Sequence, residues 1–296
     1  MGWKIVFLST EDKVLRQNII DDISGNTGII AHIGYPTKTF TAPKILNPCF
    51  VSLKAKLVVI PIGCKSGNLS RVMKGLIGVE NFVGALITMP HKQAILSHLN
   101  YQSPLVKQSD SCNILRLNRS REIIGEMFDG IGVSKALREK GVKTQNKSVL
   151  LLGAGGVGSA VAFSIAPKGI SKIAIFDLDS SKSNNLCNKI RQGFPNLEVN
   201  IWNAKEAGWD IIINATPLGM NGNDNLPLAM RYVSSVEVLI DLVLSNADTS
   251  LVQIAKENGS KVIAGFDILI SQIPEMLDFF GLKKMPVKKI RTICGF

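Results

Sequence analysis

The sequence is poor in residues that could tie it together covalently. Its five cysteines, at 49, 64, 112, 187 and 294, are an odd number with no C-x-x-C pair. That argues against a disulfide framework or a zinc site and for a reducing cytoplasm. Histidines number only three. His91 has no partner histidine, so it reads as structural, and neither a triad nor a metal cluster is legible. No apolar run reaches the length of a membrane span. The run in residues 1–9 is too short for a signal peptide before Glu11 and Asp12, so a soluble protein is expected. Aromatic residues make up 6% of the chain and do not interleave with the basic cluster Lys283, Lys284, Lys288, Lys289 and Arg291. That cluster reads as a solvated C-terminal face, not a nucleic-acid-binding tail. There is no internal repeat and no low-complexity segment.

What remains is globular. A chain of 296 residues suits two domains of ordinary size. Its composition, 46% hydrophobic and 19% charged, excludes disorder. The net charge of +11 draws anionic ligands.

The most informative stretch is the apolar run 148–152 followed by Gly153-Ala154-Gly155-Gly156-Val157-Gly158. It fits G-x-G-x-x-G in the order strand, turn, helix. The first glycine makes the tight turn, the second lets a pyrophosphate touch backbone, and the third lets helix and strand pack closely. The helix start offers free N–H groups and a positive dipole end to phosphates. A second strand, 173–177, ends on Asp177. A carboxylate there suits the ribose hydroxyls of NAD and repels the extra phosphate of NADP. The competing reading is a doubly wound domain that binds no cofactor.

Strands are expected at 28–34, 57–62 and 82–88, alternating with helices at 43–53, 67–76 and on to residue 98, which predicts a mainly parallel α/β layer. A polar stretch, 100–108, leads to a hairpin of 111–117 and 122–127. A helix over 132–140 joins this half to the glycine fingerprint. Further strands are expected at 197–202, 210–214, 238–243 and 261–265, with helices at 181–192, 250–258 and, last, 271–280. An amphipathic stretch, 13–23, carries no assignable chemistry.

The motifs together resemble the shikimate dehydrogenase family, over about nine-tenths of the chain from residue 29. They are Gly84-Ala85-Leu86-Ile87-Thr88-Met89-Pro90-His91-Lys92, Cys112-Asn113-Ile114, Phe128-Asp129-Gly130-Ile131-Gly132, the glycine fingerprint, Asn214-Ala215-Thr216-Pro217-Leu218-Gly219-Met220, and the segment 265–272. The resemblance implies an α/β fold of two domains: a three-layer catalytic domain, 1–129, and a Rossmann domain for NAD(P), 130–266. Residues 267–296 return as a helix to the first. It implies reversible hydride transfer between nicotinamide and a hydroxyl-bearing ring carbon, with Lys92 and Asp129 handling the proton. The expected partner is a small cyclic hydroxy acid such as shikimate or quinate, within aromatic amino acid biosynthesis. Nucleic acid and membrane are not expected partners, and the chain is expected to be a monomer or a homodimer.

Read from the residues alone, the pair also makes sense. A lysine held at a domain cleft can deliver a proton as hydride arrives at a ketone, or remove one during alcohol oxidation. A carboxylate partner orients the ammonium. The bland alternatives are a solvated lysine, and for Asp129 a helix N-cap before residue 132. By resemblance Thr88, Asn113 and Gln272 contact the substrate's hydroxyls and carboxylate. Cofactor contacts fall on Gly153, Ala154, Gly155, Gly156, Val157, Gly158, Asp177, Leu178, Asn214, Ala215, Thr216, Pro217, Val243 and Gly265.

The chain also departs from the family. The usual Ser-x-Ser-Pro, which holds the substrate carboxylate, is Phe40-Thr41-Ala42-Pro43, so both serine positions are apolar. Thr39 and Thr41 stand one residue away as substitutes. Leu86, Phe128 and Leu244 replace a usual Asn, Thr and Tyr. The chain therefore reads as a divergent shikimate dehydrogenase-like enzyme preferring a less hydroxylated cyclic acid. The alternative is a regulatory or non-catalytic dinucleotide-binding paralogue. Where NADP-using members carry Asn-Arg-Thr, this chain has Asp177-Leu178-Asp179 with no nearby Arg, though Lys182 stands five residues on. NAD is therefore expected, with NADP as the less favoured alternative. Asp179 reads equally as a helix cap.

Overall fold

The computed structural model describes residues 23–220, 225–245 and 247–295. The strand-like run and the amphipathic stretch expected before residue 23 lie outside them. The first half runs β1 (Gly28–Gly34), α1 (Ala42–Ser52), β2 (Leu57–Gly63), α2 (Leu69–Ile77), β3 (Phe82–Ile87), β4 (Tyr101–Gln102), α3 (Pro104–Ser109), β5 (Ile114–Leu117) and β6 (Ile123–Glu126). These strands form one six-stranded sheet in the order β2-β1-β3-β5-β6-β4. β1 pairs in parallel with β2 and β3, and the β5–β6 hairpin is antiparallel.

Successive strand residues point to opposite faces, and the core divides accordingly. Ile30, Val59, Leu86 and Ile114 pack with Ile45 and Phe50 of α1. Ala31, Ile33, Ala85 and Leu115 pack with Met73 of α2 and Val106 of α3. Burial on both faces makes the strands read as unbroken apolar runs.

After α4 (Asp129–Glu139) comes a second sheet: β7 (Ser148–Leu152), α5 (Gly156–Ile165), β8 (Lys172–Phe176), α6 (Ser180–Gly193), β9 (Glu198–Ile201), β10 (Ile211–Asn214), α7 (Met230–Val233), β11 (Val238–Asp241), α8 (Ser250–Glu257) and β12 (Lys261–Ala264). Its strands are all parallel, in the order β12-β11-β10-β7-β8-β9. This is the doubly wound arrangement, with its switch point between β7 and β10. The chain closes with α9 (Gly265–Phe279) and α10 (Val287–Cys294). Helix α9 joins the halves: Ile268 lies in the core of the second, and Ile270, Ile273 and Leu277 lie in the core of the first.

Several expectations need correction. The polar stretch 100–108 contains a short strand and a helix, α3, whose start is capped by Ser103 Oγ accepting the Val106 N–H. The segment ending at residue 98 is a 3-10 helix, Ala94–His98. Helix α4 begins at Asp129, three residues earlier than expected, with Phe128 at the cap position. Helix α9 starts at Gly265 instead of 271, because the glycine lets the helix open against the Val243 carbonyl. A Cβ there would lie 2.4 Å from that oxygen. Pro274 sits inside this helix, as in the expected 271–280 helix, and is buried. Residues 271–280 are not the last helix, since α10 follows and anchors on α1 through Ile290. Of the basic cluster, Lys284 bonds Glu275 and Arg291 bonds Asp267. No helix of the described residues is long and apolar enough to cross a membrane.

Candidate active site

A cavity of about 520 Å³ opens between the two halves, beyond the C-terminal ends of β3 and β7. Lys92 enters it from the turn after β3. His91 anchors that turn from beneath: it is buried, with Nε2 2.7 Å from the Cys64 carbonyl oxygen, and its N–H donates to Thr88 O. The Lys92 carbonyl accepts the Cys112 N–H at 2.8 Å, which fixes the backbone from the β5 side.

Asp129, the first residue of α4, meets Lys92 Nζ with Oδ2 at 2.5 Å. Its Oδ1 accepts from Asn113 Nδ2 at 2.8 Å. The same amide donates to Gln272 Oε1 on α9 at 3.1 Å, and Asn113 Oδ1 accepts the Phe128 N–H. The carboxylate therefore turns into the cleft instead of capping its own helix. The two side chains are 19% and 13% exposed, dry enough for the pairing to be directional and open enough for a ligand to reach it.

Thr39, Thr41 and Thr88 line the same cavity. The hydroxyls of Thr39 and Thr41 donate to backbone carbonyls two or three residues back at 3.4 Å. At that length the bonds are weak and leave both hydroxyls able to bond a ligand. Phe40 turns inward and stacks on His32, ring centroids 3.9 Å apart.

On the other wall lies the glycine turn. Gly153 has φ +94°, and a Cβ on Gly158 would lie 1.9 Å from the Gly153 carbonyl oxygen. A Cβ on Gly155 would meet nothing within 4 Å. Two glycines thus shape the backbone and the middle one leaves room beside it, a cradle that a pyrophosphate fits. Gly155, Gly156 and Val157, then Ala215, Thr216 and Pro217, and Val243 and Gly265 line the cavity with Lys92 and Asp129.

Gly153, Ala154, Gly158, Asp177, Leu178 and Asn214 do not line it. Asn214 is buried and its amide is spent internally. Oδ1 accepts from Thr216 N and Oγ1, while Nδ2 donates to Leu218 O and to Asp241. It shapes the turn that carries residues 215–217. Asp241 beneath it is buried, and that burial holds its carboxyl above the usual range. Asp177 accepts the Ala154 N–H at 2.7 Å and the Asp179 N–H at 2.9 Å, tying the glycine turn to the end of β8. Asp179 is the N-cap of α6, and the Ser181 hydroxyl and N–H hold its carboxyl below the usual range. Leu178 is 92% exposed. Sequence reading passed over His32, a lining residue on β1, because at that position it looks like one more inward-facing strand residue.

Fold and cleft define a two-domain α/β protein with a Rossmann-type second half. Residues 32–115 match the family model of the shikimate dehydrogenase substrate binding domain, and residues 131–192 match the ThiF family. The chain is 29% identical over 282 residues to the shikimate dehydrogenase (NADP(+)) of Alkaliphilus oremlandii, covering 92% of this chain and 97% of that one. A crystal structure of a shikimate dehydrogenase in complex with NADP+ superposes with TM-score 0.81 at 25% identity, covering 92% and 96% of the two chains. The fold is also that of a quinate dehydrogenase from Corynebacterium glutamicum, in complex with NAD, with TM-score 0.79 at 24% identity over 90% and 98% of the chains. The chain resembles the shikimate dehydrogenase family through both of its halves.

Proposed function

We propose that the chain is a divergent shikimate dehydrogenase-like oxidoreductase. It transfers a hydride between a nicotinamide dinucleotide and a hydroxyl or keto carbon of shikimate, quinate or a related cyclic hydroxy acid. The observation that carries this reading is the 2.5 Å Lys92–Asp129 pair in a cavity shared with the glycine turn. Residues 1–129 with 267–296 act as the substrate-binding unit and 130–266 as the dinucleotide-binding unit.

The room beside Gly155 and the free N–H groups at the start of α5 fit a dinucleotide's phosphates. Residues 155–157 would hold the pyrophosphate, and 215–217 with Val243 and Gly265 the nicotinamide end. When bound, the nicotinamide supplies the hydride acceptor or donor. The chain's own part is the proton. Lys92 Nζ, as the neutral amine, accepts it from the substrate hydroxyl during oxidation and, as the ammonium, returns it to the carbonyl oxygen during reduction. Asp129 orients the ammonium, and Asn113 holds Asp129 in place. Thr88, Asn113 and Gln272 orient the ring, and Thr39 and Thr41 take the carboxylate where Phe40 and Ala42 offer no hydroxyl. NAD is preferred over NADP, because Asp177 and Asp179 bring two carboxylates to the end of β8, where a ribose 2′-phosphate would be repelled.

One observation favours a second reading, a dinucleotide-binding paralogue without turnover: Phe40 fills against His32 the place where the family pattern has a hydroxyl. Reduction of NAD and NADP by a panel of cyclic hydroxy acids separates the two. Turnover that falls by about 10²- to 10⁴-fold in Lys92→Ala supports the enzyme. Dinucleotide binding with no turnover of any acid supports the paralogue.

A further inference from the structure

His32 is a polar group in the cleft that the proposed reaction does not use. It is 7% exposed and shares the cavity with Thr88 and Lys92. Its Nδ1 is buried with no hydrogen-bond partner among the described residues. The sheet offers none, since His32 stands opposite Pro61 on β2 and Leu86 on β3, whose side chains are apolar. One face of the imidazole is covered by the Phe40 ring, tilted 25° from parallel. Neither ring nitrogen has a hydrogen-bond partner among the described residues, and an unpaired imidazole on the wall of a ligand-sized cavity calls for a partner that the chain does not supply.

The charge state narrows that partner. Burial first, and then the Lys92 ammonium, push the His32 pKa down to about 3. The ring is therefore neutral at physiological pH, with one N–H and one lone pair. A carboxylate, an acceptor only, would take the imidazole N–H and leave its lone pair unpaired. A hydroxyl both donates and accepts, so it satisfies either tautomer.

The geometry points to His32 as a specificity-determining residue: its imidazole hydrogen-bonds a ring hydroxyl of the substrate while Phe40 presents an apolar wall to the ring edge alongside. This rests on the reading of the site as a hydroxy-acid dehydrogenase and names its substrate class. The substrate is a cyclic acid with an isolated hydroxyl next to a bare, apolar ring edge, selected over a ring hydroxylated all round. A site built to bond one hydroxyl rejects analogues lacking it, because its own buried polar group is then left unpaired. An extra hydroxyl against Phe40 finds no partner either.

The test uses the full chain and NAD with cyclohexane and cyclohexene carboxylic acids graded in the number and position of ring hydroxyls. KM and kcat are measured for wild type, His32→Leu, His32→Gln and Phe40→Ser, and binding of the acids is followed by calorimetry. His32→Leu raises KM for the best acid by about 10- to 100-fold with kcat nearly unchanged. His32→Gln, which restores a donor and an acceptor, recovers most of that loss. Phe40→Ser also supplies a hydroxyl where the family pattern bonds the carboxylate that all these acids share, so what is read is the ratio of kcat/KM between more and less hydroxylated rings. That ratio moves toward the more hydroxylated ones, and this decides the matter if His32→Leu does not fold. Unchanged KM in His32→Leu, equal losses on every acid without recovery in His32→Gln, or an unmoved preference in Phe40→Ser overturns the inference. Wild type that neither binds nor turns over any of the acids overturns the dehydrogenase reading itself, and the inference with it. Normal turnover with unaltered His32 variants overturns the inference alone.

Discussion

Lys92 and Asp129 are far apart in sequence, and a hydrogen-bonded backbone places each of them. One rides a turn whose histidine is bonded to the loop after β2, and the other opens a helix. Lys92→Ala is expected to lower kcat by about 10²- to 10⁴-fold, the ordinary worth of a positioned proton-transfer group. The Kd for NAD, measured by fluorescence titration, stays unchanged. Asp129→Asn keeps the shape of the side chain and loses its charge; kcat falls, and a kcat matching wild type would remove Asp129 from the reaction. His32 makes a separate prediction about stability. Below its ordinary value of 6.5 the unfolded chain takes up a proton that the folded chain refuses down to about 3. Its contribution is therefore fully present above pH 6.5 and is lost as pH falls, at up to about 1.4 kcal/mol per pH unit. Urea unfolding of wild type and His32→Gln from neutral to mildly acidic pH should show the gap shifting in favour of the variant. Parallel curves would contradict it. That Lys92 and Asp129 meet in one cleft was legible because both lie in motifs. The cleft role of His32 was not, since it depends on how residues 35–41 fold back to bring Phe40 over the ring.

At the scale of elements, the strands were the most legible part. Burial on both faces writes them as continuous apolar runs, and the β7-turn-α5 unit follows from its glycines. Those glycines make opposite predictions. Gly158→Ala drives a methyl group into the Gly153 carbonyl, which costs about 1–3 kcal/mol of stability and weakens NAD binding. Gly155 has extended backbone and open space beside it, so Gly155→Ala leaves stability within about 0.5 kcal/mol while its methyl obstructs the pyrophosphate. Thermal unfolding with and without NAD separates the two, and equal loss of stability in both variants would contradict the assignment. Helices α3, α9 and α10 were read short or missed because their helical character comes from tertiary packing. The expected helix runs through Pro274 but misses the first turns of α9, which are held by buried neighbours in both cores. Helix α10 sits in a lysine-rich stretch whose few apolar residues face α1.

At the scale of the whole molecule, the site exists because two sheets with different topologies present their strand ends to one gap, and α9 fixes one to the other. The proposed choice of dinucleotide belongs to this scale, since it rests on the acids at the end of β8 and not on the residues around Lys92. The shikimate dehydrogenase of Alkaliphilus oremlandii is named for NADP(+), whereas the reading proposed from Asp177 and Asp179 is a preference for NAD. Wild type should show a kcat/KM for NAD at least about tenfold above that for NADP, the scale of one misplaced charge near a phosphate. The most direct test is the absorbance of reduced dinucleotide as cyclic hydroxy acids are added to wild type and Lys92→Ala, with NAD and with NADP. The account predicts reduction of NAD by wild type and a rate lower by about 10²- to 10⁴-fold in Lys92→Ala. Equal rates in the two proteins, or no reduction of either dinucleotide by wild type, would contradict it.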